Sequence, residues 1–393
     1  MLGLSNASIA KVPQPPSRRP REMADQSRGV EIFSEMSRVV MSFGGYGSRM
    51  AEIRGETIEL VRHARGFTQD ELASAAGVSQ GYLSQIEKGR VEPDEARLAA
   101  LAAALQVDTR VLSEPLVQSG AGCTHFRKRA SVKVFDTKRL RADLALRTFH
   151  IERLAALVEL PRCTLRPESP SEDGFITAEE IASEVRAALG ISSGPIVDLV
   201  GSLDKAGCVI VFTELPALAF DAASTWTSGR KHVVMLVNSA RPTDRMRFSV
   251  AHELGHAVMH QSAAPGTEAE TEADEFASEF LMPATEIAAE LRGLSFERLP
   301  TLKLRWRVSM AALVRRAHDL AVISPARYRS LMIELSKAGY RTFEPHPLDA
   351  EPRGLARRLV PSSAEVSTEE VARRLGMTSA DQLERLFDMR GSE

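Results

Sequence analysis

The sequence predicts a multi-domain protein that is mainly α-helical and contains a small β-sheet. The chain has 393 residues, and at about 150 residues per domain this length suggests two or three domains. Its apolar residues recur mostly at the spacing of amphipathic helices, which predicts an α-rich structure. Two short apolar runs, at residues 208–212 and 232–237, are typical of strands and predict the sheet.

The composition excludes several classes of protein. Hydrophobic residues make up 44% of the chain and charged residues 26%, as in average globular proteins, so a wholly disordered or collagen-like chain is excluded. No apolar run approaches the roughly 18 residues of a membrane-spanning helix, and the first residues do not resemble a signal peptide. The three cysteines are widely spaced, which favours a reducing compartment. We therefore expect a cytoplasmic protein without a membrane partner.

The net charge of −2 predicts no nucleic-acid partner by itself, but it averages segments of opposite sign. Residues 1–49 are rich in proline, glycine and arginine, and we expect a disordered tail there. One hypothesis is that the true start of the protein is Met50 or another internal methionine, such as Met23 or Met41. Residues 116–170 form a predicted basic connector, and its net charge between residues 120 and 150 is +6. We expect these basic residues to add phosphate contacts to a DNA-binding domain.

Residues 50–115 predict a domain of several short helices. Thr68 and Glu71 have the spacing of a capping box at a helix start, and Leu83 and Ile86 lie on the predicted inner face of the next helix. Two short helices joined by a glycine-containing turn have the geometry of a helix-turn-helix, which places its second helix in the major groove of DNA. The residues expected at the DNA are Gln69 against a phosphate and, on or before the second helix, Ser79, Gln80, Gly81, Tyr82 and Gln85.

A small helical bundle that binds a protein, or nothing, is the alternative for this domain. Residues 51–115 carry seven Lys or Arg against eleven Asp or Glu, unlike the basic surface of most DNA-binding domains. However, residues 67–89 resemble the XRE, or lambda-repressor-like, helix-turn-helix family in the turn glycine, the core positions and the final Ile-Glu-x-Gly. This resemblance implies binding to a double-stranded DNA operator as a homodimer. It also implies that Gln69 contacts the DNA backbone and that Gln80, Gly81 and Gln85 occupy base-reading positions.

The run His252-Glu253-Leu254-Gly255-His256 places two histidines four positions apart on a predicted helix. Residues at this spacing share a helix face and lie about 6 Å apart along the axis, so both imidazoles can bind one Zn²⁺. Glu253, beside that face, can then take a proton from a water molecule on the metal and pass it to a leaving amine. The alternative is a helix with two surface histidines that have other partners.

A catalytic zinc needs a third protein ligand and an open position. His260 lies about 12 Å from His252 along a regular helix, too far to share the ion, and we expect a backbone carbonyl to satisfy it at the helix end. The acidic helix predicted next carries Glu270 and Asp274 on one margin of its apolar stripe and Glu272 on the other. Glu270 is the preferred third ligand and Glu272 the alternative. We expect Asp274 to orient a zinc-bound imidazole.

Around these residues the sequence resembles the ImmA/IrrE family of metallopeptidases. The resemblance rests on the residues before the histidines, on the acidic helix and on the motif that follows it: Arg245, Arg247, Phe248, Glu270, Glu272, Ala273, Asp274, Phe276, Ala277 and Leu281-Met282-Pro283. It implies an α+β zincin-like peptidase domain over residues 171–285, with His252, His256 and Glu270 as zinc ligands and Glu253 as the base. The strand at 232–237 would be the sheet edge along which a substrate adds. A helical extension, 286–345, and a helical C-terminal region of unknown role, 346–393, would follow.

Together the two resemblances predict a bacterial or phage-derived transcriptional regulator. It would bind an operator and carry a zinc-dependent endopeptidase that cleaves a repressor-like protein or the chain itself. The alternative is a non-catalytic regulator, or an antitoxin-like protein, in which the peptidase-like fold is a sensor or an interaction domain. The intact set of His252, Glu253 and His256 favours the enzyme, because a pure scaffold has no need of Glu253.

Overall fold

The computed structural model describes residues 53–116, 133–157, 160–168, 170, 176–215, 220–260, 266–351 and 367–387. Within these ranges the chain has fifteen α-helices and a three-stranded sheet. The predicted fold class, mainly α-helical with a small β-sheet, is confirmed. The tail expected at residues 1–49 and the internal starts lie outside the described residues. All described residues except Leu157 belong to one compact unit.

The first domain contains short helices joined by tight turns. They are α1 (Gly55–Ala64), α2 (Gln69–Ala76), α3 (Gln80–Glu87), α4 (Glu95–Leu105) and a 3-10 helix (Thr109–Ser113). The predicted capping box starts α2, since the Thr68 hydroxyl accepts from the Glu71 N–H and the Glu71 carboxylate accepts from the Thr68 N–H. Gly77 ends α2 with φ 66°, a left-handed conformation that glycine adopts without strain. A turn then connects α2 to α3.

Apolar side chains from all four helices form the core of this domain. They include Ile58, Leu72, Leu83, Ile86 and Leu101, and the inward positions predicted for Leu83 and Ile86 are confirmed by exposures of 0% and 1%. Helix α5 (Val134–Leu157), in the segment expected to be a connector, packs against the same core. It contributes Ala142, Ala145 and Leu146.

Arg147 on α5 makes contacts in three directions. Its Nε lies 3.0 Å from Oδ1 of Asp143, its Nη1 donates to the Leu386 carbonyl at 3.0 Å, and its Nη2 donates to Oγ1 of Thr213 at 3.2 Å. The guanidinium is therefore engaged within the protein. It does not extend the basic surface that the sequence suggested for this segment.

A short sheet organises the second domain. Helices α6 (Ala178–Ala188) and α7 (Leu199–Lys205) precede the strands β1 (Cys208–Thr213), β2 (Ala222–Trp226) and β3 (Val233–Asn238). The strand order is β1-β3-β2, with β1 parallel and β2 antiparallel to β3. Both apolar runs predicted to be strands are therefore confirmed.

The expectation that residues 232–237 form the edge of the sheet is wrong. Strand β3 lies in the centre, where Leu236 pairs with Val211 on one side and with Ala223 on the other. Strand β2 could not be predicted from the sequence, because it has only five residues and lacks the apolar alternation that marks a strand. A strand that is paired on both sides has no free edge, so a substrate cannot extend the sheet at β3.

Helices that follow the sheet complete the second core. They are α8 (Thr243–Met259), α9 (Thr267–Leu281), α10 (Ala284–Leu291), α11 (Leu299–Trp306), α12 (Met310–Asp319) and α13 (Pro325–Lys337). The buried side chains of the extension, such as Trp306 and Leu313, belong to the same core as Phe276 and Phe280 of α9. In the parts of the chain that the structure describes, no helix is both long and apolar enough to cross a membrane.

Two helices of the C-terminal region pack on the first domain. These are α14 (Thr368–Arg374) and α15 (Ala380–Leu386). Between them Met377 forms an antiparallel bridge with Val107, and the Gly376 carbonyl accepts from the Asp108 N–H at 3.0 Å. The region that the sequence left without a role therefore covers one side of the helical domain.

Candidate metal centre and DNA interface

Helix α8 holds the two histidines and the glutamate of the predicted motif inside the protein. His252, Glu253 and His256 are each at most 1% exposed. Helix α9 approaches α8 closely at Gly255, where a Cβ atom would lie 3.0 Å from Cδ1 of Phe276. The absence of a side chain at Gly255 lets α9 bring its acidic residues next to the histidines.

Three side-chain atoms converge between the two helices. Nε2 of His252 lies 3.1 Å from Nε2 of His256, and the Glu270 carboxylate lies 3.5 Å from the first nitrogen and 3.4 Å from the second. Among the described residues this is the one group of His, Cys, Asp or Glu side chains close enough to hold a metal ion. The structure thus brings together the three residues that the sequence proposed as ligands.

The spacing of these atoms suits zinc. Ligand atoms at about 2.0–2.1 Å from a tetrahedral ion are roughly 3.3 Å from one another, and the observed separations are 3.1–3.5 Å. Two imidazoles and one carboxylate are also the ligand set of many catalytic zinc sites. The residues present therefore fit a zinc ion.

Asp274 and the other acidic groups stabilise His252 in its charged form. Nδ1 of His252 lies 2.9 Å from Oδ1 of Asp274, as expected from the sequence. Burial lowers the pKa of His252, but the hydrogen bonds to Asp274 and Glu270 and the charge of Glu253 outweigh it and raise the pKa to about 9. Burial likewise raises the pKa of Glu270, yet the two histidines hold it well below its ordinary value. The carboxylates around His252 therefore favour its imidazolium form, and the two histidines favour the carboxylate form of Glu270.

Ser224 on β2 contacts the expected base. Its hydroxyl donates to Oε2 of Glu253 at 2.6 Å, and Ser224 is itself 1% exposed. The adjacent Trp226 donates from Nε1 to the Ala257 carbonyl at 2.9 Å, so β2 is attached to α8 at two points. Ser224 could not be predicted as a site residue, because nothing in the sequence marks β2 or its distance from α8.

His260 and Glu272 form a second pair beside the ligands. Nδ1 of His260 lies 3.0 Å from Nδ1 of His256, and Nε2 of His260 lies 2.6 Å from Oε2 of Glu272. The expectation that a backbone carbonyl satisfies the His260 ring is therefore wrong, since its two nitrogens face side chains. Glu272, the alternative third ligand, is directed to His260 and is absent from the converging group.

The predicted DNA-contacting residues lie together around α3. Ser79, Gln80 and Gly81 are exposed, and Tyr82 and Gln85 are half-buried. The Ser79 hydroxyl accepts from the Tyr82 N–H at 3.2 Å and so caps α3.

Gln69 and Gln80 are linked to a buried ion pair. Nε2 of Gln80 donates to Oε1 of Gln69, and Nε2 of Gln69 donates to Oε2 of Glu87, both at 2.6 Å. Arg62 binds the same carboxylate with two nitrogens at 2.6 and 3.0 Å. Because Arg62 and Glu87 are buried, this chain fixes both glutamines relative to the core.

Comparison with protein families assigns both domains. Residues 58–112 match the family described as helix-turn-helix, and residues 203–318 match the IrrE N-terminal-like domain of peptidase family M78. The chain belongs to the XRE-type helix-turn-helix regulators and carries an M78 peptidase-family domain. The second match extends beyond residue 285, the predicted end of the peptidase domain, and includes α10, α11 and nearly all of α12.

Individual relatives are similar over a length of one small domain. The transcriptional regulator ClgR of Mycobacterium tuberculosis is 41% identical over 69 residues, which are 18% of this chain and 59% of that protein. The uncharacterized HTH-type transcriptional regulator y4dJ of Sinorhizobium fredii is 36% identical over 73 residues, 19% of this chain and 95% of its own. The immunity repressor protein of Bacillus phage phi105 is 39% identical over 66 residues, 16% and 46% of the two chains. The present chain thus spans about three fifths of the first of these relatives.

Proposed function

We propose that the protein is a DNA-binding transcriptional regulator whose second domain is a zinc-dependent endopeptidase. The endopeptidase cleaves a repressor-like protein or the chain itself. The observation that carries the peptidase assignment is the convergence of His252, His256 and Glu270, whose ligand atoms lie 3.1–3.5 Å apart, next to the buried Glu253. The observation that carries the DNA assignment is the exposed start of α3 in a helix-turn-helix domain.

The DNA-binding part is supported by the order of the residues around α3. Gln80 and Gly81 are exposed at the first turn of the helix, and a glutamine there can form two hydrogen bonds with an adenine in the major groove. Gln69 lies at the start of α2, where its side chain and the N-terminus of the helix can bind a phosphate of the DNA backbone. We propose that Ser79, Tyr82 and Gln85 make further contacts with the DNA. The protein would bind an inverted repeat as a homodimer, and it would act in the cytoplasm.

The contacts at the metal site suggest a separate role for each residue. His252, His256 and Glu270 would hold the ion, and Asp274 would orient the His252 ring by accepting from Nδ1–H of His252. The chemistry that zinc supplies at such a site is activation of a water molecule and polarisation of the substrate carbonyl. Glu253 would be the base that accepts a proton from water and the acid that delivers it to the leaving amine. Ser224 holds the carboxylate of Glu253 in place between these two steps.

The variant Glu253→Gln tests the peptidase. Zinc is measured by elemental analysis of the purified full chain, with one zinc per chain expected for the wild type and for Glu253→Gln. The double variant His252→Ala/His256→Ala should bind none. New protein N-termini are then profiled in cells that make the wild type or Glu253→Gln, and only the wild type should generate cleaved fragments. Identical profiles with zinc bound would reject the peptidase and leave a non-catalytic regulator.

DNA binding is tested by selection from random double-stranded DNA with the full chain. We expect an enriched inverted repeat, and we expect Gln80→Ala or Gln85→Ala to relax the preference at single positions by about 1–3 kcal/mol. Gln382→Ala, a substitution of the same type on α15, is the control and should keep the wild-type preference. Enrichment of no sequence, or an equal loss with Gln382→Ala, would reject the assignment of α3.

A further inference from the structure

His260 occupies the position where α8 ends. It caps the helix with φ −113° and ψ 58°, and its backbone N–H still donates to the His256 carbonyl at 2.9 Å. The ring therefore stays one turn from His256 on the same side of the helix, with 5.1 Å between the two ring centroids. The side chains of His256 and His260 are 0% and 6% exposed, so water reaches neither ring freely.

We propose that His260 and Glu272 are positioning residues that hold the His256 ring on the metal. This inference rests on the zinc site proposed above and extends it from the ligands to their supports. His260 contacts His256, and Glu272 contacts His260, which makes a chain of two hydrogen bonds that leads away from the ligand atoms. Neither residue binds the metal itself.

One arrangement of hydrogens satisfies the whole chain. A histidine that binds a metal through Nε2 carries its hydrogen on Nδ1, so His256 donates from Nδ1 to Nδ1 of His260 across 3.0 Å. His260, as an acceptor at Nδ1, then carries its own hydrogen on Nε2. That nitrogen lies 2.6 Å from a carboxylate oxygen of Glu272, which accepts. The tautomer of each ring is thereby fixed by the next group.

The two metal-binding histidines are supported in different ways. His252 donates directly to Asp274, whereas His256 reaches its carboxylate, Glu272, only through a second imidazole. Both carboxylates lie on α9, which also carries Glu270. One helix therefore supplies the third ligand, Glu270, and the carboxylates that end both supporting chains, Glu272 and Asp274.

Three variants distinguish positioning from ordinary packing. His260→Phe keeps an aromatic ring but removes both nitrogens, and His260→Asn restores an acceptor near the position of Nδ1. Glu272→Gln keeps an acceptor for His260 without the charge. Glu268→Gln is the control, because it removes the same charge from an exposed position of α9.

Zinc affinity is measured by competition with a chelator, and the ligand geometry by the visible spectrum of the Co²⁺-substituted full chain. We expect His260→Phe to weaken zinc binding by about 10–100-fold and to change the Co²⁺ spectrum. His260→Asn should recover part of the affinity, Glu272→Gln should have a smaller effect than His260→Phe, and Glu268→Gln should match the wild type.

Failure of this inference differs from failure of the zinc site. If the wild type binds no zinc, the proposed function itself fails. If the wild type binds one zinc and His260→Phe has the same affinity and the same Co²⁺ spectrum, the positioning role is rejected while the site stands. A lower thermal stability of His260→Phe with an unchanged spectrum would also reject it, since that result indicates packing alone.

Discussion

The Ser224 hydroxyl lies 2.6 Å from Oε2 of Glu253 and so links an edge strand to the proposed general base of the metal centre. Replacing it (Ser224→Ala) removes a donor and frees the carboxylate to rotate. We expect about tenfold slower cleavage, equivalent to about 1.4 kcal/mol in the activation barrier, with zinc content unchanged. The rate is measured on the protein substrate found by N-terminal profiling.

Thr225→Val provides the control for this prediction. The Thr225 hydroxyl is also buried on β2 and has no hydrogen-bond partner among the described residues. Its removal should therefore leave the cleavage rate near that of the wild type. An equal loss in both variants would mean that β2 itself is disturbed, and that Ser224 has no particular role.

The Arg62–Glu87 ion pair predicts a large effect on stability. Both side chains are at most 5% exposed, so Arg62→Met leaves a buried carboxylate without its cation. Breaking a buried pair from one side costs about 3–5 kcal/mol in the free energy of unfolding, whereas the double variant Arg62→Met/Glu87→Leu should recover much of it. Urea unfolding measures both.

An exposed ion pair in the same domain gives the comparison. Arg97 and Asp94 lie 2.7 Å apart with side chains 53% and 55% exposed. Arg97→Met should lower the free energy of unfolding by less than about 1 kcal/mol. The prediction for Arg62 is wrong if the two single variants lose similar amounts.

His150 makes the stability depend on pH. It is buried on α5 and donates from Nδ1 to the Leu375 carbonyl at 3.0 Å. Burial, followed by the charge of Arg65, lowers its pKa to about 3, whereas an unfolded histidine titrates near 6.5. The unfolded chain therefore takes up the proton first. The contribution of His150 to the free energy of unfolding is fully present above pH 6.5. It is lost as the pH falls towards 3, by about 1.4 kcal/mol per pH unit.

Urea unfolding at pH 6.5 and pH 5 tests the effect of His150. The wild type should lose about 2 kcal/mol from this source over that interval, and His150→Phe should lack this loss. His318→Phe, at a half-exposed histidine, should keep the wild-type pH dependence. A slope that His150→Phe does not change would contradict the assignment.

Gly255 and Gly81 are both helical glycines, yet their substitution by alanine should have opposite effects. A Cβ at Gly255 would meet Phe276 at 3.0–3.2 Å, whereas one at Gly81 would have no atom within 4 Å. We expect Gly255→Ala to separate α8 from α9, lower stability by about 1–3 kcal/mol and weaken zinc binding. Gly81→Ala should raise stability by about 0.5–1 kcal/mol. Thermal unfolding and chelator competition measure the two effects, and equal stability changes would refute the packing argument.

The helical parts of the structure could be predicted because their signals are local. Thr68 and Glu71 mark the start of α2 within four residues, and the spacing of His252 and His256 indicates a helix by itself. The apolar stripe of α9 also predicts that Glu270 and Glu272 lie on opposite margins of the helix, because the stripe determines which side faces the neighbouring helix. In the structure Glu270 lies at His252 and His256, and Glu272 lies at His260. These features depend on a few adjacent turns of one helix.

The missed features depend on pairs that are distant in the sequence. Ser224 reaches Glu253 only because β2 pairs with β3, and neither the five residues of β2 nor their antiparallel direction is marked by an apolar pattern. The partner of His260 was missed for a related reason. The helix ends at that residue, and where its ring then points depends on Glu272 of another helix.

The helices of the first domain leave the ribosome long before α14 and α15. Contacts such as Arg110 to the Arg373 carbonyl join residues 263 positions apart, and Val107 bridges to Met377. During synthesis the first domain can close its own core while the surface around Val107 still lacks its cover. The nascent regulator therefore exposes this surface until the whole peptidase domain has been translated, and a chain released before residue 367 would keep it available to chaperones and proteases.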